Sequence, residues 1–559
     1  MSMMRSERET ADARRGELLA DALERIADGP AGQGLDPGER LQVLDVLIAA
    51  LEGTYAHLVA KRAAYASDSV HALSLLRRRA AELTDGEFHR AVTGIVIGLR
   101  DAHTRYSGRT PLGATVAVLP FLVERYGPDA DPHHLVSKVD EEFVRDRGFR
   151  PGVELVSWNG IPFPRAVEVH ADRETGGRPD SRRARALESL TFRPLEYGPP
   201  PDELWVLLGY RTVRGRLGEV RLPWRVVAPD KARTAMEDEG RGLSKQSIDL
   251  AAEAVRRAKK LVFAPDLWRR DRARRPESAP GRTADGWLDT PLQDVLAARQ
   301  LNHQVGYLRI WSFDVADDEA FVREMARLLG LLPPTGVIVD LRANPGGLIW
   351  AAERALQLFT DATIAPTRFS LLATPATRQM ADNPFNRLEL EAWSPSLQEA
   401  TSTGELYSQP LPLTDPAWCN DIGRTYPGRA VAVVDANTYS SGDLFAAGWA
   451  DHRIGPLVTV GQATGAGGAN VWTSYQLRDA LAGTDFALPP LPRGTGFTMA
   501  FRRAIRSAAG DGIPIEDLGI SGIPYQMTRA DLLEGNVDLH AFCTRLLGQD
   551  EHYDRNPHG

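Results

Sequence analysis

The chain has 559 residues, enough for about three domains at ordinary domain sizes. Its 43% hydrophobic and 25% charged content is that of a globular protein, and a net charge of −8 over this length gives no global attraction for nucleic acid. Two cysteines, Cys419 and Cys543, make neither a disulfide framework nor a zinc site, which fits a reduced compartment.

The first ten residues carry no apolar h-region behind them, and no stretch approaches the roughly 18 uninterrupted apolar residues of a membrane span. A cytoplasmic protein without membrane or nucleic-acid partners is the expectation. From about 14 to 100 the spacing predicts helices. Leu18, Leu19, Leu23 and Ile26 form one apolar stripe, and Leu41, Val43, Leu44, Leu47, Ile48 and Leu51 form another. A third helix begins near Asp68, and a fourth follows Asp85 and runs through Ile95, Val96, Ile97 and Leu99. It ends at His103, which is either a cation at a helix C-terminus or a general base presented there. His133 and His134 fall in a Pro/Asp/Gly loop.

From about 114 to 228 the pattern changes to strands: Ala114–Glu124, Leu135–Val139, a hairpin-like unit over Arg147–Pro162, then Leu204–Leu208 and Glu219–Val227. Helical sequence lies between, at Ser181–Leu190. The run Arg150-Pro-Gly-Val-Glu-Leu-Val-Ser-Trp-Asn-Gly160 resembles PDZ modules, which bind extended peptides by strand addition. Residues 229–290 predict a solvated helix at Asp249–Lys260 and a mobile loop holding the basic run Arg269–Arg275.

A second α/β region starts near 304. Val305–Phe313 is a strand, Asp318–Leu332 an amphipathic helix and Thr335–Arg342 a buried strand. The turn Asn344-Pro-Gly-Gly347 can expose backbone N–H groups to a reacting carbonyl. After an irregular stretch at 370–425, Ala430–Asp435 predicts a strand, and Leu444, Phe445 and Trp449 a helix. Ser440 and Ser441 sit between them, where a serine is either a helix cap or a nucleophile. The loop Gly461–Ala469 lacks the Gly-Lys-Ser/Thr ending of a P-loop.

Four segments occur in the order found in the C-terminal processing, or tail-specific, proteases: Gly336-Val-Ile-Val-Asp-Leu-Arg-Ala-Asn-Pro-Gly-Gly347, Thr438-Tyr-Ser-Ser-Gly-Asp443, Val460-Gly-Gln-Ala-Thr-Gly465 and Gly512-Ile-Pro-Ile-Glu-Asp-Leu-Gly519. Over about 85–548 the chain thus resembles peptidase family S41. The resemblance implies a multi-domain α/β fold with a ClpP/crotonase-like core at 291–548. It also implies an N-terminal helical domain (1–110), a PDZ-like peptide-binding domain (111–228), a charged helical insert (229–290) and a disordered tail (549–559). It implies a serine peptidase acting on proteins or peptides, Ser440 as nucleophile, and an oxyanion hole drawn from Gly346, Gly347 and the Ser441 N–H. Ser441 is the rival nucleophile, because the family form Ser-x-Ser-Glu is here Ser440-Ser-Gly-Asp443.

Many members place a lysine base in the glycine loop after the second strand, but this chain has none after Lys260. The tricorn-like branch and the chlamydial protease-like activity factor take a histidine from the end of an N-terminal helix instead. Arg100-Asp-Ala-His-Thr104 is similar to that site and makes His103 the base. Glu516 matches the family's late carboxylate, which would orient the imidazole, with Asp101, Asp443 and Asp517 as rivals. No metal or cofactor is implied, and a homodimer is compatible with the helical N-terminus. The alternatives are a non-catalytic peptide-binding or ligand-binding relative, and an acyl-transfer or ester-hydrolysing enzyme on the same site.

Overall fold

A computed structural model describes residues 12–27, 34–108, 112–229, 245–267, 286–384, 389–492 and 494–548. The basic run Arg269–Arg275 and the tail 549–559 lie outside the described residues.

The catalytic-region sheet grows from the β-branched runs. Its strands are β8 (Leu296–Gln300), β9 (Val305–Ile310), β10 (Gly336–Asp340), β12 (Arg429–Asp435), β13 (Leu457–Val460) and β16 (Ile523–Tyr525), in the order β8-β9-β10-β12-β13-β16. Only the β8–β9 pair is antiparallel. Alternate residues serve two layers. Val337, Val339, Ala432 and Val434 pack under α9 (Asp318–Gly330), α10 (Ile349–Ala355) and α11 (Ser441–Asp451), where Leu328, Phe445 and Trp449 are buried. Ile338, Val431, Val433 and Val458 face Leu539, Cys543 and Leu547 of α12 (Val537–Gly548). Covering on both faces is why these strands read as continuous apolar runs. Each such side chain contributes about 1.5–3 kcal/mol by burial.

The helices α2 (Pro37–Thr54), α3 (Leu58–Tyr65), α4 (Ser69–Arg77) and α5 (Asp85–Ile97) share this core: Val43, Leu44, Phe88 and Val92 join the same buried cluster as Leu308 and Val337. Capping boxes, Asp36 with Glu39 and Thr84 with Glu87, begin α2 and α5. After α5 the chain forms β1 (Arg105–Ser107), which pairs with β15 (Gly496–Ile505). That pairing joins the end of the helical region to the α/β core and fixes the position of His103.

Residues 112–229 form a second unit. Strands β2 (Phe121–Tyr126), β3 (His133–Val139), β4 (Glu154–Trp158), β5 (Trp205–Arg211) and β6 (Leu217–Pro223) make an antiparallel sheet in the order β6-β5-β4-β3-β2. The helices α6 (Phe163–Ala171) and α7 (Pro179–Ser189) accompany it. His133 and His134 open β3 rather than lying in a loop, and the Pro/Asp/Gly signal belongs to the turn before them.

Two segments depart from the boundaries drawn from sequence. The first helix, α1 (Leu19–Ala27), buries Leu19 and Ala22 against the second unit's core, not against α2–α5. The cause is the short strand Glu17–Leu18, which pairs with Val226 and Arg225. The segment expected to be solvated also folds inward. Gln246–Ile248 is a strand, β7, and α8 (Leu250–Phe263) buries Val255, Ala258, Leu261 and Val262 against Val116, Val118, Phe192 and Val227. Its charges concealed this, because Glu253 and Arg257 are buried as a pair that continues to Asp314.

Candidate active site

β12 runs into a sharp turn at Ala436–Ser440, and α11 starts at Ser441. Ser440 has φ 66° and ψ −123°, a left-handed conformation that costs a non-glycine residue about 1–3 kcal/mol. Four contacts hold it there. The Ser440 N–H donates to Asp443 Oδ2 (2.7 Å), and Asp443 also accepts from the N–H groups of Ala466 (3.2 Å) and Gly467 (2.9 Å). The Tyr439 N–H donates to the Asn344 carbonyl at 2.8 Å. Burial raises the Asp443 carboxyl to about 6 against the pull of these donors. Asp443 is therefore committed to the nucleophile turn and the glycine loop. The family's Glu position is filled here by a shorter acid that caps its own helix.

The neighbouring serine points elsewhere, since Ser441 Oγ donates to the Gly347 carbonyl at 2.9 Å. The glycine turn lies directly against the nucleophile turn. A Cβ added to Gly346 (φ 98°) would lie 2.5 Å from Ser440 Cβ and 2.9 Å from Ser441 N, so only glycine fits. The Gly346 N–H is already given to Asn344 Oδ1 at 2.9 Å. Of the three groups expected in the oxyanion hole, this removes Gly346 as a free donor, because Asn344 uses that N–H to close the turn.

His103 meets the serine. Its Nε2 is 2.6 Å from Ser440 Oγ, and both side chains are buried. The Thr498 hydroxyl donates to the His103 carbonyl (2.8 Å), and the ring lies 4.7 Å from that of Tyr439. Burial lowers the imidazole to about 4 even though Asp101 and Asp249 pull it up, so it is neutral at neutral pH.

Its other nitrogen, Nδ1, has no hydrogen-bond partner among the described residues, and Asp101 Oδ1 is 3.9 Å away. Asp101 accepts from the Tyr55 hydroxyl (2.9 Å), the Thr104 hydroxyl (2.8 Å) and the His103 N–H (2.8 Å). Burial pushes its carboxyl up, yet His57, His103 and Lys61 hold it down to about 2, so it is a carboxylate.

Glu516 does not touch the imidazole. It is ion-paired to Lys61 Nζ at 2.6 Å and accepts the Gly468 N–H at 3.1 Å. Asp517 sits on the same ammonium at 2.6 Å. Lys61, from α3, thus takes the carboxylate that the resemblance assigns to the histidine. This lysine does fold over towards the site. Burial acts to lower it, but Glu516 and Asp517 raise it above its ordinary value, so it is no proton acceptor for Ser440. Among the described residues, His57, Asp101 and Glu516 bring ligand atoms within 4.8 Å of one another. Lys61 brings one positive charge to this group of acids through its pairs with Glu516 and Asp517.

No local pattern marks β7 as part of the site. It pairs antiparallel with β11 (Gly346–Leu348), placing Ser247 opposite Gly347. Ser247 Oγ is 2.6 Å from Ser440 Oγ and donates to the Ala469 carbonyl at 2.5 Å. Asn470, in β14 (Ala469–Thr473), donates through Nδ2 to the Gln246 carbonyl (2.9 Å), and the Asp249 N–H donates to the Pro345 carbonyl (2.9 Å). Asp249 ahead of an apolar helical run is a readable cap, and it does accept from Ala251 and Ala252. Nothing in the local pattern shows that Ser247 meets Ser440, 193 positions away.

Residues 304–502 match the family model described as peptidase family S41. That segment holds both the glycine turn and Ser440, and the match supports a hydrolase of the serine peptidase class. Its fold is similar to that of mature CPAF, with TM-score 0.61, 16% identity and coverage of 92% of this chain and 98% of that one. It is equally similar to mature CPAF complexed with lactacystin, with TM-score 0.60, 17% identity and coverage of 92% and 99%. At these identities the likeness is one of fold. No curated protein matches the chain in sequence.

Proposed function

We propose that this chain is an S41 peptidase, an endopeptidase in which Ser440 is the nucleophile and His103 its general base. The observation that carries the reading is the 2.6 Å approach of a neutral imidazole to a serine held at a strained strand-to-helix turn. His103 Nε2 takes the hydroxyl proton as Oγ bonds to the peptide carbonyl carbon. The N–H groups of Gly347 and Ser441 hold the oxyanion. His103 then protonates the departing amine as the C–N bond breaks, and water releases the acyl group by the same route. Asp101, rather than Glu516, is the carboxylate that stabilises the imidazolium, and Glu516 with Lys61 fixes the Gly468 loop beneath it.

Ser440 is wholly buried under β7, so β7 leaves the cleft before a substrate enters. The chain runs on from both ends of β7, which favours cleavage inside a polypeptide over cleavage that needs a terminus. The test is labelling with a fluorophosphonate probe together with hydrolysis of an unstructured protein. Label and hydrolysis should vanish in Ser440→Ala and persist in Ser441→Ala. A label that stays in Ser440→Ala and is lost in Ser441→Ala moves the nucleophile by one residue, and hydrolysis that survives both substitutions removes the reading.

A further inference from the structure

The strand lying over Ser440 is a cast of what the cleft accepts. Ser247 faces the nucleophile, and two residues on, as strand alternation requires for the same face, comes Asp249. Its carboxylate is fully buried, accepts from Arg185 Nη1 and lies 3.4 Å from Arg105 Nη2. The two arginines come from different parts of the molecule, Arg105 from β1 and Arg185 from α7 of the second unit.

Arg105 has hydrogen-bond anchors besides Asp249, and Arg185 has a ring contact besides it. Arg105 donates through Nε to the Ala102 carbonyl (3.0 Å) and through Nη2 to the Thr175 hydroxyl (3.0 Å). The Arg185 guanidinium lies 4.5 Å from the centre of the Tyr439 ring, next to the nucleophile, and its Nε is buried without a partner. When β7 withdraws, two guanidinium groups remain beside the reaction centre with their carboxylate gone, Arg105 on its own anchors and Arg185 against the Tyr439 ring. Leaving them so is costly, and a substrate that brings its own carboxylate relieves the cost while a neutral one does not.

We propose that Arg105 and Arg185 form a carboxylate-reading subsite of this peptidase, two residues C-terminal to the substrate residue seated at Ser440. The inference rests on the endopeptidase reading for the substrate's place in the cleft. It adds that substrates are chosen for an Asp or Glu side chain, or a free terminal carboxylate, at that position. The alternative role of Asp249 is purely structural, as cap of α8 and partner of a buried ion pair.

The probe is the peptide Lys-Gln-Ser-Ile-Asp-Leu, which copies residues 245–250, with its Asp→Asn counterpart. A pair ending Lys-Gln-Ser-Ile-Ala, as free acid and as amide, reports on the terminal carboxylate. Binding is followed by fluorescence anisotropy to the full chain carrying Ser440→Ala and Asp249→Asn, so that the chain's own carboxylate does not compete. The Asp peptide should bind roughly tenfold tighter than the Asn peptide. The preference should disappear in Arg185→Gln and be partly restored in Arg185→Lys. Arg105→Gln, at a mostly buried residue on a different element, gives a second reading should Arg185→Gln fail to fold.

Preference for the free acid over the amide assigns the site to chain ends, and preference within the hexapeptides alone assigns it to side chains. Equal binding of acid and neutral peptides overturns the subsite, as does no binding of either or a preference that survives both arginine substitutions. Hydrolysis that needs Ser440 but ignores the Asp leaves the peptidase reading standing without the subsite. Selective binding with no hydrolysis by the Ser440 chain does the reverse.

Discussion

The Ser440 hydroxyl is approached from two sides, by the His103 turn and by β7, and the two are held differently. The His103 turn is tied to its own surroundings. Asp101 gathers Tyr55, Thr104 and the His103 N–H, Thr498 holds the His103 carbonyl, and β1 is built into the sheet beside β15. None of these bonds ends on β7. β7 is held mostly through groups that another strand could offer: three residues of pairing to the glycine turn, one carbonyl to Asn470, the Ser247 hydroxyl to Ser440 and the Ala469 carbonyl, and one carboxylate to two arginines. The first segment is machinery and the second is an occupant. The difference lies in what each bond ends on, because the two are buried alike.

The largest expected effects break the first side. Replacing His103 by alanine removes the base proposed for Ser440, and turnover on an opened chain should fall roughly 10⁶-fold, as for loss of a base in comparable sites. Fluorophosphonate labelling should fall with it. A chain that keeps most of its activity would make another group the base. Next comes Gly346→Ala. The added methyl enters the space of Ser440 Cβ and of the Ser247 carbonyl, 2.3 Å away, at a φ of 98°. A loss of roughly 10²–10³-fold in kcat is expected, the scale of a damaged oxyanion site. An unchanged kcat with raised KM would place the glycine turn in substrate binding alone.

Asp101→Asn is milder, because the carboxylate does not bond Nδ1 and acts at 3.9 Å. A misplaced ring should cost about 10–10²-fold. The substitution also has a pH signature in stability. Burial lowers folded His103 from its ordinary 6.5 to about 4. Below 6.5 the unfolded chain binds a proton that the folded chain refuses, so this histidine's contribution is fully present above 6.5 and is lost as pH falls towards 4. The slope is about 1.4 kcal/mol per pH unit. Removing Asp101, which raises His103, should carry the loss to still lower pH, and denaturation midpoints between pH 7 and 4 measure it. Identical midpoints in the two chains would show that Asp101 does not act on the imidazole.

Sequence patterns showed the machinery far better than the occupant, for physical reasons. Strand–turn–helix at Ser440 and the glycine turn at 344–347 are local, and hydrophobic periodicity places them. His103 was legible only through its ending of an amphipathic helix and its likeness to a family branch. The missing lysine after Lys260 made that likeness decisive. Glu516 was misdirected because a motif gives a position and not a partner, and Lys61, 455 positions upstream, claims it. β7 was hidden by composition. A segment with Lys245, Asp249, Glu253 and Arg257 looks solvated until each charge is seen to be buried against an opposite one. Periodicity detects apolar faces and does not detect paired charges.

The smallest effect tests the occupant itself. Ser247 gives β7 two contacts at the centre of the cleft, one to Ser440 Oγ and one to the Ala469 carbonyl. Ser247→Ala removes both and leaves the pairing with β11 and the Asp249 ion pairs in place. Each such hydrogen bond is worth about 1 kcal/mol net and two are lost, so β7 should leave the cleft roughly thirtyfold more often. The measurement is the fluorophosphonate labelling rate of the otherwise intact chain, which should rise by that factor because the probe reaches Ser440 only when β7 is away. A labelling rate that falls instead would make Ser247 a partner of the nucleophile, its hydroxyl helping to align Ser440 Oγ towards His103. β7 would then belong with the His103 turn, and the division between machinery and occupant would have to be drawn elsewhere.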